Sequence, residues 1–191
     1  HACPAGVGGL LPLPSWCHNP VHMKTLPVIQ RNASLPHNTP IRIRAHTLLC
    51  LQGFRGEGYS AGFVENMAAV HQRLADDPSQ GVEIMDAPDA MCGACPHLLL
   101  TGCSLHGKET EPHMQVQDHD VLVRLGLHVG DRLPWVDLLD RIRTSLTGES
   151  LTHICGQCRW LSLGYCREGI DRLRAPAQCQ TMPVDGPKDD A

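Results

Sequence analysis

Apolar and polar positions alternate over Ile41-Arg42-Ile43-Arg44 and again over Val82-Glu83-Ile84-Met85. A period of two puts successive side chains on opposite faces, so both segments read as short, half-buried β-strands. Two helical periods lie between them. In His46-Thr47-Leu48-Leu49-Cys50-Leu51, His46 and Cys50 stand four apart and would share one face of a helix. Phe63, Val64, Met67, Val70 and Leu74 recur every three or four residues, which predicts a helix from an N-cap at Ser60 to about Ala75. Asn66 lies off that stripe and is expected to face water.

The Asp76–Gly81 stretch breaks the helix. Asp118 to Gly126 suits a further helix ending at a glycine cap. Trp135, Leu138, Leu139, Ile142 and Leu146 make another stripe, beginning after Pro134. Ile170 and Leu173 mark a last helix. The fold class is therefore a small, mostly helical α+β domain with two short strands.

This pattern divides the chain into three segments. Residues 1–40 carry seven prolines (Pro4, Pro12, Pro14, Pro20, Pro27, Pro36 and Pro40) without a sustained apolar period, and read as a disordered extension. Within it, Met23-Lys24-Thr25-Leu26 reads as a natural start, with residues 1–22 upstream of it. Residues 41–174 form the domain, and 175–191 a polar, disordered tail. Residues 104–117 are polar and read as a loop, so His106 and His113 are expected in solvent.

Charge changes the picture little. The net charge is −4 over 191 residues and no basic run occurs, which speaks against nucleic acid or an anionic membrane as partner. No apolar run approaches the roughly 20 residues of a membrane span. Residues 7–14 are too short and proline-rich for the core of a secretory signal, so a cytoplasmic setting is expected. Rings make up only 4 % of the chain, and a core short of rings benefits from a metal cross-link.

The cysteines carry the chemistry. Cys92-Gly93-Ala94-Cys95 is followed by seven residues and Cys103, and Cys155-Gly156-Gln157-Cys158 by seven residues and Cys166. A C-x2-C turn aims two sulfurs at one point and a third can return to it, which predicts two metal-gripping knuckles. Cys50 could complete one four-ligand site, and His46, His97 or His153 the other. A single site shared by the two C-x2-C turns remains open beside it.

All-thiolate ligation suits one or two iron–sulfur clusters, or zinc. Cys95-Pro96 and the ring-bearing segment of Trp160 and Tyr165 favour iron–sulfur. The expected role is electron transfer or redox sensing with a partner protein. Zinc would make the domain a structural or interaction module, and thiol–disulfide exchange is a further alternative. Cys3, Cys17, Cys179, His18 and His22 are left outside the site.

Gly53-Phe54-Arg55-Gly56-Glu57-Gly58-Tyr59-Ser60 is a glycine-rich loop without the spacing of a phosphate loop. With His46, Arg44, Arg55 and Tyr59 around it, it could form the pocket of an enzyme of unknown reaction. No Ser-His-Asp set or paired-carboxylate signature specifies one.

Five motifs bear on kinship: Arg44 to Cys50, Gly53 to Ser60, Phe63 to Met67, Cys92 to Leu98, and Cys155 to Trp160. Through them residues 41–174 resemble a small bacterial and archaeal family catalogued as domain of unknown function 1284. The resemblance implies iron–sulfur binding through the cysteines, and no reaction. Where that family shows two adjacent histidines before Leu-Leu-Cys, this chain has His46-Thr47, which leaves His46 as the candidate there.

Overall fold

In the computed structural model, which describes residues 39–156 and 158–175, both alternating segments are strands. They are β1, Ile41–Arg44, and β2, Gly81–Met85. They pair in parallel, Ile41 opposite Val82 and Ile43 opposite Ile84. Parallel neighbours need a long crossover. Here it consists of helix α1 (Ala45–Gln52), the glycine loop and helix α2 (Ala61–Asp76). Ser60 accepts the Phe63 N–H and caps α2 as its sequence indicates.

Three strands escape the pattern. β3 (Leu98–Leu99) and β4 (Gly102–Cys103) form a two-stranded hairpin, and β5 (Arg132–Pro134) pairs antiparallel with β2. The two-strand expectation is thus corrected to a three-stranded sheet, ordered β1-β2-β5, plus a hairpin. Strands of two or three residues are too short to show an alternation.

Helix α3 spans Thr110–Leu125, eight residues earlier than its apolar period suggests. Its first turns are polar, and they are held by Glu111 and the buried Thr110 rather than by an apolar stripe. Pro112 falls in the first turn, where a missing N–H costs nothing. Helix α4 (Trp135–Ser145), the short α5 (Leu151–Ile154) and α6 (Tyr165–Arg174) complete the set of α-helices among the described residues. The turn before α5 is capped by Thr147, which exchanges hydrogen bonds with Ser150.

The core gathers Ile43 and Ile84 from the sheet with Leu48, Leu138, Ile142, Leu151 and Ile170 from the helices, all inaccessible to solvent. α1 is buried nearly all round and packs against α3 and α6. Its end meets the start of α6 so closely that a Cβ on Gly53 would lie 2.3 Å from the Cys166 nitrogen. A Cβ on Gly169 would lie 2.0 Å from the Gln52 carbonyl oxygen. These two contacts bring Cys50 and Cys166 together. The readings on residues 1–38 and 176–191, including Met23, Cys3, Cys17, His18, His22 and Cys179, lie outside the described residues.

Candidate metal centre

Arg44 ends β1 and would face solvent if the strand's alternation held. Instead it is 2 % exposed. Its Nε donates to Asp118 Oδ2 at 2.7 Å, its Nη1 to Glu111 at 2.9 Å, and its Nη2 to the Asp86 carbonyl at 3.1 Å. Burial opposes the charge, but the two carboxylates outweigh it and hold the guanidinium protonated.

The carboxylates around Arg44 also grip segments that carry candidate ligands. Glu111 accepts the backbone N–H of Cys103 at 2.7 Å. Asp89 accepts the Arg44 N–H on one oxygen and the Met91 and Cys92 N–H groups on the other. Asp118 accepts both the backbone N–H and the ring Nδ1 of His46. Burial raises the Asp118 pKa, but His46 and Arg44 more than reverse it and hold the carboxyl below its ordinary range. An ionised Asp118 can only accept, so His46 Nδ1 donates and Nε2 is the ring nitrogen left without a protein partner in this pair.

The two C-x2-C segments share one local feature. Cys95 N–H donates to the Cys92 carbonyl at 2.9 Å, and Cys158 N–H to the Cys155 carbonyl at 2.8 Å. Beyond that turn the two diverge. Cys103 returns on the β3–β4 hairpin, whereas Cys166 returns in the first turn of α6 after the 3-10 turn Leu161–Leu163. Equal spacing does not carry equal structure here.

The two segments nonetheless face one cavity of about 150 Å³. Cys50, Cys92, Cys95, Cys103, Cys158 and Cys166 line it, together with His46. Cys155 is not in the lining; its sulfur accepts from Gln117 Nε2 at 3.3 Å. The seven cysteines Cys50 to Cys166 are free thiols. Among the described residues, no three His, Cys, Asp or Glu side chains are drawn together so as to hold a metal ion as they stand.

The electrostatics of the thiols reflect their crowding. Burial, then the neighbouring Cys166, Cys155 and Cys158, push the Cys50 thiol well up. Burial and Asp89 push Cys92 to about 12, and burial and Cys158 push Cys155 to about 11. Cys95 and Cys166 are raised as well, by burial first and then by Cys103 and Cys158 respectively. Thiols so placed stay protonated unless a cation offsets the charge.

The glycine loop belongs to the same cavity. Phe54, Arg55, Glu57 and Tyr59 are part of its wall, with Phe63, Trp160 and Tyr165. Tyr59 sits at the centre of a ring cluster, 5.2 Å from Phe63, 5.4 Å from His97 and 5.9 Å from Trp160. His97 is thus packed on Tyr59 and absent from the lining, and His153 is exposed. Arg44 leaves the enzyme reading as a substrate contact, because its donors are taken inside the protein. His106 and His113 are exposed, as the sequence indicates.

Sequence reasoning misses three residues that build the site. Asp118 lies on the buried face of α3 with Val121, Leu122 and Leu125, and a lone carboxylate on an apolar stripe is a legible signal. Glu111 is hidden in a stretch that reads as loop. Asn66 does not face water: its Nδ2 donates to the Ala90 carbonyl at 2.8 Å and holds the strand-to-cysteine loop.

The model of a family described as a protein of unknown function, DUF1284, matches residues 58–164, and the chain belongs to that family. The match includes Cys92, Cys95, Cys103, Cys155 and Cys158, and leaves His46, Cys50 and Cys166 outside it. No curated protein and no solved structure matches the chain. No helix among the described residues is long and apolar enough to cross a membrane.

Proposed function

We propose that this member of the DUF1284 family is an iron–sulfur protein whose single centre occupies the cavity between its two cysteine segments. The observation that carries the reading is the convergence of six cysteines, from α1, both C-x2-C segments, the hairpin and α6, on one cavity. Thiolates are what cluster iron takes as ligands. Cys50, Cys158 and Cys166 would hold it from the helical side, and Cys92, Cys95 and Cys103 from the hairpin side, with His46 as the nitrogen donor nearest to hand. The fit rests on the donor set: half-buried thiols, with Cys50 crowded by Cys166, Cys155 and Cys158, are stabilised as thiolates by a bound cation.

A bound cluster supplies one-electron transfer at a potential set by the hydrogen bonds and polarity around its sulfurs. The protein's part is to hold that surround fixed. Asp89 and Glu111 pin the backbone at Cys92 and Cys103. Tyr59, Phe63 and Trp160 exclude water from one wall. The resulting role is electron transfer or redox sensing in a reducing compartment such as the cytoplasm, with a partner protein to exchange electrons. The glycine loop and the cysteines are then one site and not competing ones.

The test is spectroscopic. Protein purified without oxygen should be brown, with a broad visible band that bleaches on reduction. A colourless protein carrying stoichiometric zinc would replace this reading with that of a structural zinc module. A colourless, metal-free protein with reversible cysteine oxidation would favour thiol exchange.

A further inference from the structure

Residues 54–59 connect the end of α1 to the start of α2, and Phe54, Arg55, Glu57 and Tyr59 among them line the thiol cavity. Both ends of the bridge are seated. Gly53 lies against the Cys166 backbone, and a Cβ on Gly58 would stand 2.7 Å from Phe63 and from Val64. Between these seats the chain is held differently. Among the described residues, residues 54–59 make no backbone-to-backbone hydrogen bond outside the regular elements. Arg55, Gly56 and Glu57 are exposed, and Gly56 has φ +94° with open space around it. Phe54 packs against the core and lies 5.9 Å from the His71 ring, and Tyr59 sits in its ring cluster, so what fastens the exposed middle, residues 55–57, is one side chain. Arg55 Nη2 pairs with Glu168 Oε2, and its guanidinium lies over the Tyr165 ring, 4.3 Å from the centroid.

Glu168 and Tyr165 flank Cys166 on the first turns of α6, and Arg55 and Tyr165 both line the cavity. The clasp therefore joins the bridge to the helix that carries a cavity thiol. We infer that Phe54–Tyr59 is a strap that gates the thiol cavity, latched by Arg55 on Glu168 and Tyr165. Small solutes reach the cavity thiols when the latch opens. The physical basis is the contrast in strength. The ends are fixed by close packing that cannot shift cheaply, while the middle depends on an exposed ion pair and one cation–π contact, both weak and the first sensitive to salt.

The experiment measures, on the full-length protein stripped of metal and reduced, how fast each cysteine is alkylated by a small maleimide, mapped by mass spectrometry. Wild type is compared with Arg55→Ala, Glu168→Gln and the double variant. Each single change should speed labelling of Cys50 and Cys166 by about threefold to tenfold, the range expected for losing contacts of this kind. The double variant should match Arg55→Ala, because both changes break one latch. Raised salt should speed wild type and leave Arg55→Ala unaffected. Cys155, which does not line the cavity, should label at an unchanged rate in all four proteins.

Unchanged labelling of Cys50 and Cys166 in Arg55→Ala would overturn the gate. So would a parallel rise at Cys155, which would mean general loosening. The measurement is made on metal-free protein, so its outcome is independent of which metal the cavity binds.

Discussion

One oxygen of Asp118 accepts two hydrogen bonds from His46, the backbone N–H at 3.0 Å and ring Nδ1 at 2.7 Å. The other oxygen takes Arg44. A single buried carboxylate thereby fixes the start of α1, the orientation of the His46 ring and the hub of the cysteine-bearing segments. Asp118→Asn keeps the shape and removes the charge. It should cost about 3–5 kcal/mol in urea unfolding at neutral pH, because Arg44 loses half of its compensation in a buried site. An unchanged midpoint would show that the network is not what holds the site.

The same carboxylate predicts a pH dependence. Its folded pKa is depressed, so its contribution is present above the unfolded value of about 3.9 and is lost as pH falls through the lower folded value. Wild type should lose stability below about pH 4, and Asp118→Asn should lack that component of the acid limb.

The thiols act at the other end of the scale. Cys92 at about 12 and Cys155 at about 11 are raised in the folded protein. Unfolded thiols ionise near 8.5, so in metal-free protein the stabilisation is present below that value and is lost as pH rises toward 11 and 12. Urea midpoints of reduced, chelator-treated protein should fall as pH rises from about 8.5 toward 11. Loaded protein should show a flatter profile, because ligating thiols are already ionised. The Cys155 part of the slope should persist, since that residue does not line the cavity, and equal slopes in the two forms would mean that the metal does not engage Cys92.

Much of this scaffold can be read from the chain, and the exceptions share a cause. The β1 and β2 strands, α2 with its Ser60 cap and the stripe of α4 declare themselves because their apolar residues face one core. The start of α3 does not, because Glu111 and Thr110 anchor it by polar contacts that leave no period. Arg44 misleads for the same reason: its partner Asp118 lies 74 residues away, and no local pattern reports a long-range ion pair. The cysteines are legible as candidate ligands. Their convergence is not, because it depends on Gly53 and Gly169 letting α1 and α6 touch.

That contact gives a simple contrast. Gly53→Ala places a methyl inside the Cys166 backbone and should cost about 1–3 kcal/mol or more. Gly62, in α2, has nothing within 4 Å of a Cβ, and Gly62→Ala should stabilise by about 0.5–1 kcal/mol. Urea unfolding of the two variants beside wild type checks both signs. A tolerated Gly53→Ala would show that α1 and α6 are not in close contact.

The cavity also orders the cysteines. Cys103→Ser and Cys166→Ser should each lose most of the bound iron, since both residues line the cavity. Cys155→Ser should retain it, since that residue does not. Equal losses at Cys155 would restore the reading in which each C-x2-C-x7-C segment closes its own site.

The most direct test of the account is a count of iron, acid-labile sulfide and zinc per chain in protein purified without oxygen. One centre in one cavity predicts equal iron and sulfide, at about two to four of each, and no stoichiometric zinc. About eight iron per chain would contradict the single cavity, and stoichiometric zinc without sulfide would contradict the cluster itself.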